Sequence, residues 1–68
     1  MDLVSNIRQL RLEAGLSQAE VGELLQTTQQ QYSKYELGLH EIPVRHIITL
    51  CKFYQVSADW VLGLTDKR

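Results

Sequence analysis

Leu3, Val4, Ile7, Leu10 and Ala14 recur at steps of three and four, the spacing that lines one face of an α-helix, and Gly15 closes the run. The pattern predicts a first helix over roughly residues 2–14. The segment SQAE follows, in which Ser17 can cap a second helix while Glu20, three residues on, reaches back to the backbone. That helix runs from about Gln18 to Leu25, with Val21, Leu24 and Leu25 directed inward. The same grammar repeats at once in TQQQ, where Thr28 caps and Gln31 stands at the third helical position. Two helices separated by so short a connection cross steeply instead of lying antiparallel, which is the geometry of a helix-turn-helix over about residues 17–37.

The third helix, about Gln29 to Leu37, sets Tyr32 and Tyr35 on one face and Gln29, Gln30, Ser33 and Lys34 on the other. Gly38 suits a left-handed exit, and Pro43 stands at the start of a fourth helix, about Val44 to Tyr54. Its predicted buried stripe is Val44, Ile47, Ile48, Cys51 and Tyr54. Ser57 caps a short fifth helix carrying Trp60 and Val61, with Leu64 at its far end. No repeat, low-complexity tract or linker interrupts the pattern. The expectation is an all-α fold of five helices forming a single domain across residues 1–68.

Composition adds limits. Sixty-eight residues lie near the lower size at which one core holds without a staple, yet 44% hydrophobic and 22% charged residues are ordinary for a packed domain. Cys51 is the single cysteine, so an internal disulfide is excluded and a reducing, cytoplasmic setting is expected. No signal-like start is present, and the longest apolar run, HIITLC, is too short to span a bilayer. The histidines, His40 and His46, lack any metal-ligand spacing with Cys51, so neither metal nor cofactor is expected. Glu13, Glu20 and Glu23 read as charged helix surface, and no nucleophile is set with a histidine and an orienting acid, which argues against an enzyme. The formal net charge of −1 supplies no general attraction to nucleic acid, so any DNA contact depends on where individual groups are placed.

The stretch IRQLRLEAGLSQAEVGELLQTTQQQYSKYELG, with IPVRHIITLCKFYQVSADWVLG after it, resembles the Cro/C1-type (XRE-like, lambda- and 434-repressor-like) helix-turn-helix DNA-binding family. The resemblance covers nearly the whole chain, and GLSQAEV, YSKYE with its following glycine, the later proline and VSADWVLG agree with it in order and spacing. It implies a lambda-repressor-like fold and a sequence-specific regulator, expected to be a repressor, that reads double-stranded DNA with its third helix. Three positions and one loop depart from the family pattern. Gln26 replaces a turn glycine, Gly22 an alanine and Tyr32 a smaller aliphatic residue, while the usually basic loop after the third helix reads LGLHEIPVR.

Glutamine can pair with adenine N6 and N7 in two hydrogen bonds, and the N-terminal residues of a recognition helix point at base edges. Gln29 and Gln30 are therefore the first candidates for base reading, followed by Ser33 and Lys34 one turn on. Gln31 is open between closing the capping box and touching DNA. Free N–H groups at the start of the second helix favour a phosphate, and the resemblance adds Ser17, Gln18, Thr28, Arg11 and Arg45 as backbone contacts. His40 and Lys52 are weaker candidates, the latter reading as solvated surface. The resemblance also implies an ion pair between Arg11 and Glu36 that fixes the tilt of the third helix. Cys51 reads as core.

One recognition helix selects too little sequence, so relatives bind near-palindromic sites as two-fold dimers. Val56, Trp60, Leu62 and Leu64 are the candidates for a weak homodimer contact strengthened on DNA, with core packing the competing use of Trp60. The rival class is a protein-interaction module on the same fold, an antitoxin-like partner or adaptor. The near-neutral charge and the poorly basic loop favour it, whereas the glutamine-tipped third helix opposes it.

Overall fold

Four of the five helices begin on a side chain that accepts a backbone N–H, and all five end on a left-handed residue. The computed structural model describes residues 2–68. In chain order it contains α1 (Leu3–Glu13), α2 (Gln18–Leu24), α3 (Gln29–Glu36), α4 (Val44–Tyr54) and α5 (Ala58–Val61). Asp2, Ser17, Thr28 and Ser57 accept from Ser5, Glu20, Gln31 and Trp60 respectively, while α4 starts behind Pro43 without a side-chain cap. These caps satisfy donors that have no partner inside the helix.

At the exits, Gly15, Gln26, Gly38, Gln55 and Gly63 all have positive φ. The residue after each returns its N–H to a carbonyl five positions back: Leu16 to Arg11, Thr27 to Gly22, Leu39 to Lys34, Val56 to Cys51 and Leu64 to Asp59. Four of these closures add the second bond of a Schellman motif, Gly15 to Leu12, Gln26 to Glu23, Gly38 to Tyr35 and Gly63 to Trp60, and all five turn short helices through tight corners. Two of them use glutamine, at φ +59° and +58°, where a side chain is strained. The turn between α2 and α3 thus keeps the left-handed geometry of a glycine turn and forces Gln26 into it.

The core joins Ile7, Leu10, Val21, Leu25, Tyr32, Tyr35, Ile42, Ile47, Leu50, Trp60 and Val61. Gly22 is buried beside it. A Cβ there would stand 3.1 Å from the Thr28 carbonyl oxygen, so the missing side chain lets α2 press against the first turn of α3. Asn6 is also fully buried, and its Nδ2 donates to the Trp60 and Val61 carbonyls at 2.8 and 3.3 Å, tying the last turn of α5 to α1.

Several faces differ from the sequence expectation. On α4, Val44 and Ile48 are exposed at 70% and 50%, and the buried positions are His46, Ile47 and Leu50, with Cys51 and Tyr54 at the edge. The apolar face is turned because His46 packs inward against Tyr35, ring centroids 6.1 Å apart. Burial and the adjacent Arg45 lower the His46 pKa, keeping the ring neutral. Ala14 ends α1 in solvent, and Leu64 lies beyond α5 at 74% exposure. Trp60 is 3% exposed and belongs to the core, with the Arg68 guanidinium 4.5 Å above its ring, so it is removed from the set of dimer candidates. Arg68 also holds Glu13 through two 2.8 Å hydrogen bonds.

Candidate nucleic-acid interface

Thr28 caps α3, and its Oγ1 accepts the Gln31 N–H at 3.0 Å. Helical spacing then sends Gln29 and Ser33 outward along one line and Gln30 and Lys34 along the next, while Tyr32 and Tyr35 turn into the core. Gln29, Gln30 and Lys34 are exposed and Ser33 is half-buried. Together with Gln18 from α2, and with Leu37 and Leu39 from the exit, these four line one shallow groove. All four base-reading candidates therefore share a surface.

The tilt of that surface is set by one carboxylate. Arg11 Nε and Nη2 donate to the two Glu36 oxygens at 2.7 and 3.0 Å, a bidentate pair whose side chains are 12% and 3% exposed. Gln18 Nε2 donates to Glu36 Oε1 at 3.2 Å, and Arg11 Nη1 donates to the Leu16 carbonyl at 3.0 Å. Three helices are thus tied at Glu36. Burial by itself would raise the Glu36 pKa, but the hydrogen bonds and charge around it outweigh burial and hold the group below the usual carboxylate range. The same bonds raise Arg11 further.

The Tyr32 hydroxyl lies near enough to feel Glu36 yet completes no well-formed hydrogen bond, and the Tyr54 hydroxyl is likewise buried without a partner. Burial, first, and the neighbouring carboxylate push both phenols upward, so neither ionises.

The remaining sequence candidates take different places. Ser17 is engaged in a complete capping box, accepting from Glu20 N at 3.0 Å while its own N–H donates to Glu20 Oε1 at 2.9 Å. The second box is only half made. Gln31 Nε2 lies 3.1 Å from His40 Nδ1, so its side chain spans to the loop after α3 and leaves the Thr28 N–H alone. Arg45 is exposed but lines a second groove on the other side of α3, with Gln26, Thr27, Gln31 and Tyr35, so the structure does not bring it beside Gln29 and Gln30. Arg11 is engaged by Glu36 and by the Leu16 carbonyl, and its side chain is 12% exposed.

Sequence reading missed three contributors: Gln18 as a partner of Glu36, Asn6 as the clasp of α5, and Leu37 with Leu39 as walls of the groove. Asn6 left a signal, because it falls in register with Leu3 and Leu10 on the buried side of α1. Gln18 left none, since its bond is made across the turn.

A family model described as helix-turn-helix matches residues 7–61, from the middle of α1 through α5. The chain belongs to the helix-turn-helix family. Among similar proteins is an uncharacterised HTH-type transcriptional regulator, YobD, of Bacillus subtilis (strain 168), 33% identical over 60 residues. That alignment covers 88% of this chain and 54% of the relative, so the helix-turn-helix chain spans about half the relative's length. Among solved structures, a transcriptional regulator from Listeria innocua superposes with a TM-score of 0.88 at 22% identity, over 98% of this chain and 63% of that one. The all-α, lambda-repressor-like arrangement of the helix-turn-helix domain is shared with that structure. Among the described residues no helix is long and apolar enough to cross a membrane.

Proposed function

We propose that this chain is a sequence-specific double-stranded DNA-binding transcriptional regulator, acting as a cytoplasmic repressor and reading the major groove with α3. The observation that carries this reading is the groove in which Gln29, Gln30, Ser33 and Lys34 converge, on a helix whose tilt is fixed by Glu36. Amides there match adenine edges, and Lys34 reaches a guanine edge or a phosphate. Ser17, Gln18 and Thr28 stand at two adjacent helix starts whose free N–H groups suit phosphates, and Arg45 serves the flank beyond α3. The regulators named among similar proteins support the same class of function.

Two-fold symmetry follows from the short reach of one helix, and the exposed Leu62 and Leu64 with half-buried Val56 supply the surface for a weak homodimer completed on a near-palindromic operator. The mechanism is occupancy of the operator, which needs no cofactor, metal or catalytic group. The test is selection from a random duplex pool, run with the intact protein and with a Gln29→Ala, Gln30→Ala double variant. An inverted repeat should emerge, and the variant should lose preference at matching positions of both half-sites. Enrichment of nothing by the intact protein would overturn the reading and turn attention to a protein partner. Salt separates the two classes: with about two cations on each protomer near phosphates, log affinity should fall with log salt at a slope near −4, whereas an apolar protein contact responds weakly.

A further inference from the structure

Leu37 and Leu39 are 66% and 67% exposed. Single exposed leucines are common on protein surfaces, but these two line the same groove as the glutamines and Lys34. Leu37 follows Ser33 by four residues and Gln29 by eight, so the three fall along one helical stripe. At 1.5 Å of rise per residue, Leu37 stands roughly 12 Å along the axis from Gln29, the length of about three to four base steps. Leu39 is held by the closure of α3, its N–H donating to the Lys34 carbonyl at 2.9 Å after Gly38 turns at φ +73°. The groove therefore presents amides at one end and a pair of exposed apolar side chains at the other.

The base edges of the major groove display hydrogen-bonding groups with one apolar exception, the C5 methyl of thymine. We infer that Leu37 and Leu39 recognise thymine methyl groups, which makes the half-site A·T-rich: adenine edges under Gln29 and Gln30, and thymine methyls against the leucines. This rests on the DNA-reading function proposed above and names what that same surface selects. It also accounts for leucines at the exit of α3, where no lysine or arginine occurs between Lys34 and Arg45.

Replacing thymine by uracil removes the methyl and leaves the hydrogen-bonding edge unchanged, so the test needs no variant that could misfold. Fluorescence anisotropy would compare the best duplex from the selection with the same duplex carrying uracil in place of half-site thymines. The intact protein should bind the uracil duplex about fourfold more weakly for each methyl contacted, the factor that corresponds to roughly 0.8 kcal/mol per buried carbon group. A Leu37→Ala, Leu39→Ala variant should lose that difference and bind both duplexes alike. Equal affinity of the intact protein for both duplexes, or a variant that keeps the full preference for thymine, would overturn the inference while leaving base reading by the glutamines intact. Failure to recover any duplex would overturn the DNA function itself, a separate and earlier result.

Discussion

Glu36 is the residue on which most depends. A carboxylate 3% exposed holds a bidentate arginine and a glutamine amide, so its removal strands Arg11 in a place where water solvates it poorly. Glu36→Ala should destabilise the protein by roughly 2–4 kcal/mol in urea unfolding, and a change within about 0.5 kcal/mol would show that the pair is dispensable. The pH dependence has a definite sign. With the folded pKa depressed, the unfolded chain binds protons first as acid is added, so this stability is present near neutrality and is lost as pH falls through the folded value. Between about pH 5 and pH 3, wild-type protein should lose more stability than Glu36→Gln does. Glu13, lowered to about 2 by Arg68 and Gln9, contributes to the acid slope of both proteins and cancels in that comparison. His46, whose pKa is also depressed, destabilises both as pH falls through the ordinary histidine range and cancels likewise.

Among the elements, the α2–α3 turn carries the plainest strain. Gln26 sits at φ +59° in a position whose backbone bonds, Gln26 N–H to Glu23 and Thr27 N–H to Gly22, are those of a glycine closure. Gln26→Gly should therefore stabilise by roughly 0.5–1 kcal/mol, visible as a higher midpoint in thermal unfolding, because relief of strain exceeds the added freedom of the unfolded chain. A lower midpoint would mean that the Gln26 side chain makes contacts worth more than its strain. The elements were largely legible in the sequence, since capping residues, glycines and three-four spacing are local signals. What could not be read were choices made by distant neighbours. The apolar count on α4 favoured Val44 and Ile48 because nothing local says that His46 will lie against Tyr35, eleven residues back. The TQQQ pattern allowed a complete capping box, and His40, nine residues on, took the Gln31 side chain instead. Trp60 was readable as either core or interface until Arg68 and α1 were seen to enclose it. The outward face of α3 was legible because helix phase alone decides it.

For the whole molecule, two exposed regions stand apart. Amides, one lysine and two leucines line the α3 groove, while Leu62 and Leu64, at 42% and 74% exposure, lie outside it at the last helix. If Leu62 and Leu64 join two copies, a charge placed there should abolish pairing without touching the groove. Leu64→Glu is expected to keep its fold, because the side chain is already in solvent, and to weaken binding to a full palindrome at least tenfold while leaving binding to an isolated half-site within about twofold. Titration of both duplexes, with sedimentation to count protomers, would check this. Equal loss on both would place Leu64 outside any pairing surface.

The sharing of one carboxylate by α1, α2 and α3 has a kinetic consequence. Through Glu36, α3 is tied to both α1 and α2, so under the proposed function the tilt that meets a groove is already the resting one. Encounter then needs no ordering step, and the observed association rate should rise in proportion to duplex concentration without reaching a plateau. Selectivity would be expressed afterwards, in how long each sequence is held before release.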